Sequence, residues 1–403
     1  MSETQKHTKP NVPNLRFPGC SGEWKKSTLK NECIVNPKTE GLEKEFLYID
    51  LESVVKGQLV KQNIISRDEA PSRAQRVLSK WDIIYQCVRP YQLNNYIIRD
   101  DSTIQRVAST GYAQIRTKHN PDFIYQLLHT KGFTDQVINR CTGTNYPAIN
   151  SSDLSGIEIH FPSIQEQAQI GELLTLIDQR ISIQSKVIEK YESLIKALAY
   201  ETIGNYTPNT LLSECVRCSS STLKESDLAE EGAVPAYGAA GLSGFTDAAL
   251  VKGDSILITK DGSGFGTLRY VHGPHSFVGT LNSMTPSEGV YLPYIYYALQ
   301  NVCFESYRTG QAIPHIYFKD YGKETIYCPA TNDQKRLAKG LEMIDTKIEI
   351  ERAFLQNLHS AKAFLLSAMF IWTKLWVNNP FVFQVNADPF QALPYADPPA
   401  QID

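Results

Sequence analysis

Two groups of side chains in the 403 residues have the types and spacing to do chemistry, and neither completes a catalytic set. The first is the run Lys260-Asp261-Gly262-Ser263-Gly264-Phe265-Gly266, a glycine-rich loop after an apolar stretch. Its backbone can approach a phosphate closely; a plain hairpin turn is the equally weighted alternative. No Gly-Lys-Ser/Thr follows and no strand–loop–long-helix unit surrounds it, which excludes a nucleotide-binding loop. The second is Cys215-x-x-Cys218, which lacks another pair at zinc-finger spacing, so packed thiols are expected. His272 and His275, three residues apart, also lack obvious partners. The eight cysteines read as free thiols rather than a disulfide framework. No Gly-x-Ser-x-Gly, no His-Glu-x-x-His and no carboxylate–lysine nuclease cluster is present. The expectation is a protein without catalysis of its own, with no metal site and no cofactor in this chain.

A second chemistry is reading base edges, which needs forked donors: Arg or Lys to guanine, Asn or Gln to adenine. Such groups gather around two turns of similar sequence. One is Arg140-Cys141-Thr142-Gly143-Thr144-Asn145-Tyr146, with the basic set Arg67, Arg73, Arg76, Lys80 and Arg89 flanking a nearby strand-like run. The other is Tyr307-Arg308-Thr309-Gly310-Gln311 with His315, together with Lys260 and Ser263 of the glycine-rich loop. The candidate DNA-contacting residues are therefore Arg67, Arg73, Arg76, Lys80, Arg89, Arg140, Thr142, Thr144, Asn145, Lys260, Ser263, Arg308, Thr309, Gln311 and His315. The bland alternative for any one arginine is a solvated face. Tyr291, Tyr294, Tyr296 and Tyr297 are expected to pack along a helix rather than stack on bases. The net charge of -3 excludes a generic nucleic-acid coat. Residues 24–163 carry about three more basic than acidic side chains and 204–330 about four more acidic, so any binding relies on local patches.

The two turns belong to an internal repeat. Thr142-Gly143-x-x-x-Pro147 recurs as Thr309-Gly310-x-x-x-Pro314, and the register then holds without a gap. Asp153 matches Asp320, Pro162 matches Pro329, Gln167 matches Gln334, and Ile177-Asp178 matches Ile344-Asp345. Further upstream, Thr28-Leu29-x-x-Glu32-Cys33 corresponds to Thr210-Leu211-x-x-Glu214-Cys215, and Lys80-x-Asp82 to Lys252-x-Asp254. The period is far longer than a solenoid repeat and indicates a duplicated domain plus helix.

After each domain the pattern turns helical. Pro162-Ser163-x-x-Glu166 and Pro329-x-Thr331-x-x-Gln334 both fit a capping box. Leu174, Ile177, Ile181, Gln184, Ile188, Tyr191, Ile195 and Leu198 then follow 3-4 spacing, as do Leu341, Ile344, Ile348, Glu351, Leu355, Leu358, Lys362 and Leu365. That is a heptad seam with a polar residue at the same step in both copies, and it predicts that the helices pair with each other. Paired antiparallel, they would act as a ruler between two unlike readers. In the globular parts, 44–50, 81–88, 255–260 and 267–272 read as strands, and 121–131 and 291–301 as short helices. The expected class is α+β: two similar domains, each followed by a long helix, the helices forming an antiparallel coiled coil. The divisions are 1–23, an N-terminal segment; 24–163, the first domain; 164–204, the central long helix; 205–330, the second domain; 331–370, the C-terminal long helix; and 371–403, a tail of unknown role.

The opening Asn14-Leu15-Arg16-Phe17-Pro18, Gly22-Glu23-Trp24 and Leu29 resembles that of type I restriction–modification specificity subunits. So do Thr309-Gly310 leading to Pro314, the Pro-x-x-x-x-Gln junctions at Pro162 and Pro329, and residues 363–370. The resemblance covers roughly residues 12–370. It implies two target recognition domains, each reading one half of a split asymmetric site in double-stranded DNA. It also implies two docked methyltransferase subunits and two motor-nuclease subunits, which would supply the S-adenosylmethionine, ATP and magnesium chemistry. Within the tail, Asp397-Pro398-Pro399 resembles the Asp/Asn-Pro-Pro-aromatic motif of amino-methyltransferases, but Ala400 stands where the aromatic belongs and no cofactor loop precedes it. The alternatives are a coiled-coil scaffold whose globular domains bind protein or RNA, and a DNA methyltransferase specificity module without a restriction partner. Residues 1–10 lack a secretory core. The most apolar stretch, 364–383, is interrupted by Lys374, Asn378, Asn379 and Pro380, so a cytoplasmic protein without membrane attachment is expected.

Overall fold

The computed structural model describes residues 11–38, 41–143, 146–311 and 313–371. Two long helices, Ile164–Ala199 and Thr331–Met369, follow two mixed domains. The chain divides into two compact units, one formed by Met1–Ile183 with Leu355–Asp403 and the other by Gln184–Phe354, so each long helix gives a segment to each unit. None of the described helices is long and apolar enough to cross a membrane.

The two domains share a frame. In the first unit an antiparallel sheet runs in the order Cys33–Val35, Tyr112–Thr117, Ile83–Gln86, Tyr96–Ile97. In the second unit the order is Val216–Ser220, Leu281–Pro286, Ser255–Thr259, Leu268–Val271, with the same partners in the same sequence. The central strands are apolar on both faces: Ile83, Ile84 and Tyr85 in one unit, Ile256, Leu257 and Ile258 in the other, all buried. The first unit adds a four-stranded sheet ordered Asn63–Ser66, Glu45–Ile49, Arg106–Ser109, Ala74–Leu78; the second adds a three-stranded one.

The predicted strands and helices are present with shorter bounds. The segment 121–131 is not one helix: Pro121–Leu127 ends, and Lys131–Ile138 starts afresh after Thr130. Thr130 and Asn120 each accept a backbone N–H from the third residue of the helix that follows, which satisfies an orphan donor and fixes both starts.

Every seam residue of the long helices is buried or half-buried. In the first unit Ile170, Leu173, Leu174 and Ile177 join one core with Leu365, Leu366, Met369 and Phe370, while Asp178 meets Lys362 at 2.5 Å. As residue number rises along one helix it falls along the other, so the segments are antiparallel there. In the second unit the polar seam residues meet: Gln184 donates to the Glu351 carbonyl at 3.3 Å and to its carboxylate. Burying a polar pair at one seam step costs packing energy and disfavours other registers.

The capping boxes form only in part. Ser163 Oγ accepts the Glu166 N–H at 3.3 Å, but the Glu166 carboxylate turns to Arg16, 150 residues away in sequence, in a two-pronged ion pair with bonds of 2.8 and 2.6 Å. At the second junction, the matching position is Ala330, which caps with its carbonyl, and Thr331 Oγ1 donates to Gly289 instead. A buried carboxylate takes the strongest available donor, and a guanidinium outcompetes a neutral amide.

Candidate nucleic-acid interface

In both domains the segment carrying Thr-Gly-x-x-x-Pro docks on the turn after a central sheet strand. In the first unit Arg89 N–H donates to Pro147 O at 2.8 Å and Ile149 N–H to Cys87 O at 3.0 Å. In the second, Gly262 N–H donates to Pro314 O at 3.0 Å and Ile316 N–H to Lys260 O at 3.0 Å. The bonds superimpose in repeat register, so Arg89 and Gly262 hold the same place. Both are left-handed, with φ of 53° and 85°. Glycine tolerates that conformation freely, whereas an arginine there costs about 1–2 kcal/mol. The strained arginine is positioned: its guanidinium lies 4.4 Å from the ring centre of Tyr146, itself well exposed.

The candidates of the first domain do not form one patch. Strand register carries Arg73, Arg76, Arg89, Arg140 and Thr142 to one end of the domain. Thr110 N–H bonds to Arg73 O, and Cys87 N–H to the neighbouring Gly111 O. Lys80 precedes the other end of Ile83–Gln86 and is paired with Asp101 at 2.6 Å. Arg67, whose N–H bonds to Lys44 O, lies at that far end too. Lys80 and Arg67 are therefore separated from the Arg89 turn by the length of a strand, because a run of arginines in sequence is folded across two sheet ends. Arg140 is half-buried and donates to the Gln136 carbonyl, while Thr142 is exposed. Arg76 is half-buried with an Nε that has no hydrogen-bond partner among the described residues, and burial pushes its guanidinium below its usual range. Thr144 and Asn145 lie outside the described residues.

In the second domain all the candidates converge. Asp261 and Thr309 each bridge to His315, His315 Nδ1 pairs with the Asp261 carboxylate, and the Arg308 guanidinium sits 5.8 Å from the centre of the Phe265 ring. Ser263, Arg308, Thr309 and Gln311 are exposed around this knot, with Lys260 half-buried beneath it. Sequence reading missed Asp261, which orients His315, and Tyr317, whose ring centre lies 4.1 Å from that imidazole. Alternation in the run from His315 to Tyr317 was the available signal. The glycine-rich loop is a hairpin turn joining Ser255–Thr259 to Leu268–Val271, and the N–H groups of Gly262, Phe265, Gly266 and Thr267 are spent within the domain. The loop thus takes the form of the plain hairpin turn, with Ser263 and Gly264 exposed at its tip. Of the cysteines and histidines weighed for metal, Cys215 is buried, Cys218 half-buried, His272 bonds Asp254, and His275 bonds Ser255 and Gly273.

Each frame is fastened to a long helix by the same two residues of the repeat. Gln167 accepts the Asn120 N–H at 3.3 Å and donates to Pro162 O at 3.0 Å. Gln334 accepts the Tyr291 N–H at 2.8 Å and donates to Pro329 O at 2.7 Å. Further along, Asp178 accepts from Gln126 at 2.7 Å and Asp345 from Tyr297 at 2.6 Å. Burial raises the Asp345 carboxyl pKa, and the Tyr297 hydroxyl bond opposes that rise. Of the tyrosines weighed, Tyr291 and Tyr297 bond the second long helix at Glu342 and Asp345, Tyr294 bonds the Tyr327 carbonyl, and Tyr296 packs against Tyr270 and Tyr297. Between the two clamps, a Cβ on Gly171 would fall 2.7 Å from Asn120 Oδ1 and 2.8 Å from the Phe123 nitrogen, so only glycine permits this approach.

The sequence profile described as type I restriction modification DNA specificity domain matches residues 25–193 and 216–360, one match per copy of the repeat. The chain belongs to this family. Among curated specificity-family proteins it is 22% identical over 167 residues to the type I restriction enzyme HindI specificity subunit of Haemophilus influenzae. That match covers 40% of this chain and 36% of the relative's length. The crystal structure of the type-I restriction-modification system S subunit from M. genitalium aligns with a TM-score of 0.59 at 21% identity, over 90% of this chain and 100% of that one, and shares its fold.

Proposed function

We propose that this specificity-family chain is the non-catalytic DNA-recognition subunit of a type I restriction–modification complex, reading a bipartite asymmetric site with one half-site per domain. The observation that carries this reading is the pair of like frames bearing unlike side chains. The turn that presents Arg89, Arg140 and Thr142 in residues 24–163 presents Lys260, Ser263, Arg308, Thr309, Gln311 and His315 in residues 205–330. Arginine suits guanine and glutamine suits adenine in the major groove. Arg73 and Arg76 lie at the same end as Arg89 and suit phosphates, and Thr144 and Asn145 follow Thr142 in sequence. Lys80 and Arg67, at the far end, are the weakest of the set.

Two methyltransferase and two motor-nuclease subunits are the partners this assignment calls for, and the cytoplasm is the compartment where they would meet DNA. Transfer of methyl groups from S-adenosylmethionine and magnesium- and ATP-dependent cleavage belong to those partners. The test is methylation mapping in a host carrying the complete system. A two-part motif with a fixed gap is expected, and exchanging 24–163 for another such domain changes one half only. A change in both halves, or no enriched motif, overturns the assignment.

A further inference from the structure

The duplication lets one unit be compared with the other beyond the DNA turns. In the first unit Arg99, two residues past the strand Tyr96–Ile97, bridges two elements. One guanidinium nitrogen pairs with the Asp122 carboxylate at the start of Pro121–Leu127, and the other lies 3.4 Å from Thr175 Oγ1 on the first long helix. In repeat register those two positions are Pro293 and Glu342. In the second unit they line a cleft of about 700 Å³, together with Asp254, Tyr270, Tyr291 and Leu292. The residue two past the corresponding strand, Leu268–Val271, is Gly273, which has no side chain to fill it.

The cleft offers what a guanidinium needs. Glu342 accepts a hydrogen bond from Tyr291 Oη at 2.5 Å and has no cationic partner among the described residues. Asp254 accepts from Tyr270 Oη at 2.9 Å, Gly273 N–H at 2.9 Å and His272 Nδ1 at 3.1 Å. Two carboxylates are thus held in place mainly by neutral donors, between tyrosine rings. Lys252 and His272 are exposed at the rim. A planar cation with a fork of donors and a flexible apolar stem fits this combination better than an ammonium does. Carboxylates repel a phosphate backbone, and residues 204–330 are acidic by about four charges, so a polypeptide suits this face and DNA does not.

We propose that the cleft between the sheet end at Asp254 and the second long helix at Glu342 receives an arginine side chain from a partner polypeptide, in the place that Arg99 fills internally in the first unit. The proposal does not depend on the DNA assignment. It is tested on the full chain by titrating N-acetyl-L-arginine N-methylamide, its lysine and norleucine counterparts, and free L-arginine. Methyl NMR shifts of Val251, Val290 and Leu292 are followed. Saturable binding is expected for the capped arginine, at least fivefold tighter than for the capped lysine. Glu342→Gln, which keeps an acceptor for Tyr291, weakens it at least fivefold. Gly273→Arg, at a half-buried left-handed turn (φ 68°) where nothing lies within 4 Å of an added Cβ, plugs the cleft from within and abolishes it. Equal shifts with the norleucine compound, or unaltered affinity in both variants, overturn the site. Tighter binding of free arginine than of the capped form overturns the polypeptide as its source.

Discussion

Truncating Gln334 to alanine tests the fastening of the second recognition frame. The side chain is only 2% exposed, and its carboxamide bonds Tyr291 N–H and Pro329 O at 2.8 and 2.7 Å. Alanine leaves both backbone groups dry and unpaired. Each such group costs about 1–3 kcal/mol, less the relief of no longer desolvating the amide, so a loss of about 2–4 kcal/mol is expected. Tyr291 begins the helix Leu292–Leu299, so the damage falls there first. Hydrogen exchange of that helix should rise by about thirtyfold or more, while amides of Pro121–Leu127 in the other unit keep their rates. The matching Gln167→Ala has longer bonds, at 3.3 and 3.0 Å, and should show the mirror pattern with a smaller loss. Wild-type exchange of Leu292–Leu299 in Gln334→Ala, or equal loosening of both helices, would refute the clamp.

Arg89→Gly should separate stability from binding. It relieves the left-handed strain and raises unfolding stability by up to about 1 kcal/mol, yet weakens DNA binding and lowers the log–log salt slope by about one if Arg89 touches a phosphate; a gel-shift salt series with parallel urea unfolding measures both, and unchanged binding sinks the assignment of Arg89. Gly171→Ala pushes a methyl against the Phe123 backbone and should cost about 1–3 kcal/mol, seen as a lower unfolding midpoint. His129 sits with Nδ1 on Tyr125 O and Nε2 against the Asn95 amide, and burial lowers its pKa to about 4. The folded chain binds a proton there less readily than the unfolded chain, so its stabilisation is present above pH about 6.5 and is lost as pH falls toward about 4. Unfolding curves across that window should flatten in part in His129→Gln; an unchanged slope would show that the imidazole does not carry it.

The long helices were legible because their signal is local. Apolar residues at 3-4 spacing must share a face, and every one of them is removed from full exposure. The repeat likewise exposed Gln167, Gln334, Asp178 and Asp345, though not their task, since their partners at 120, 291, 126 and 297 precede them by about 50 residues. What failed was nonlocal. The capping box was read from the local pair Ser163 and Glu166, whereas Arg16 decides where that carboxylate points. Strand Leu281–Pro286 was missed because Asn282 and Ser283 break its apolar run, although both are buried and Asn282 is bonded to Ser220 and Tyr321. Lys80 and Arg89 looked like neighbours because eight residues of sequence conceal that a strand lies between them. In the second domain the Thr309–His315 turn and the glycine-rich loop were each visible, and only sheet pairing brought them together.

The glutamine clamps grip their domains by main-chain nitrogen, whereas Asp178 and Asp345 hold the side chains of Gln126 and Tyr297. Gln167 holds an asparagine and Gln334 a tyrosine with the same carboxamide, because what it needs is an N–H that every residue except proline provides. Residues at 120 and 291 can therefore change without loosening the glutamine mounts, while Gln126 and Tyr297 are held to their aspartates by side chain. A fold that anchors itself in this way leaves its recognition surfaces free to diverge, so that new targets can arise by descent while the rods stay under constraint.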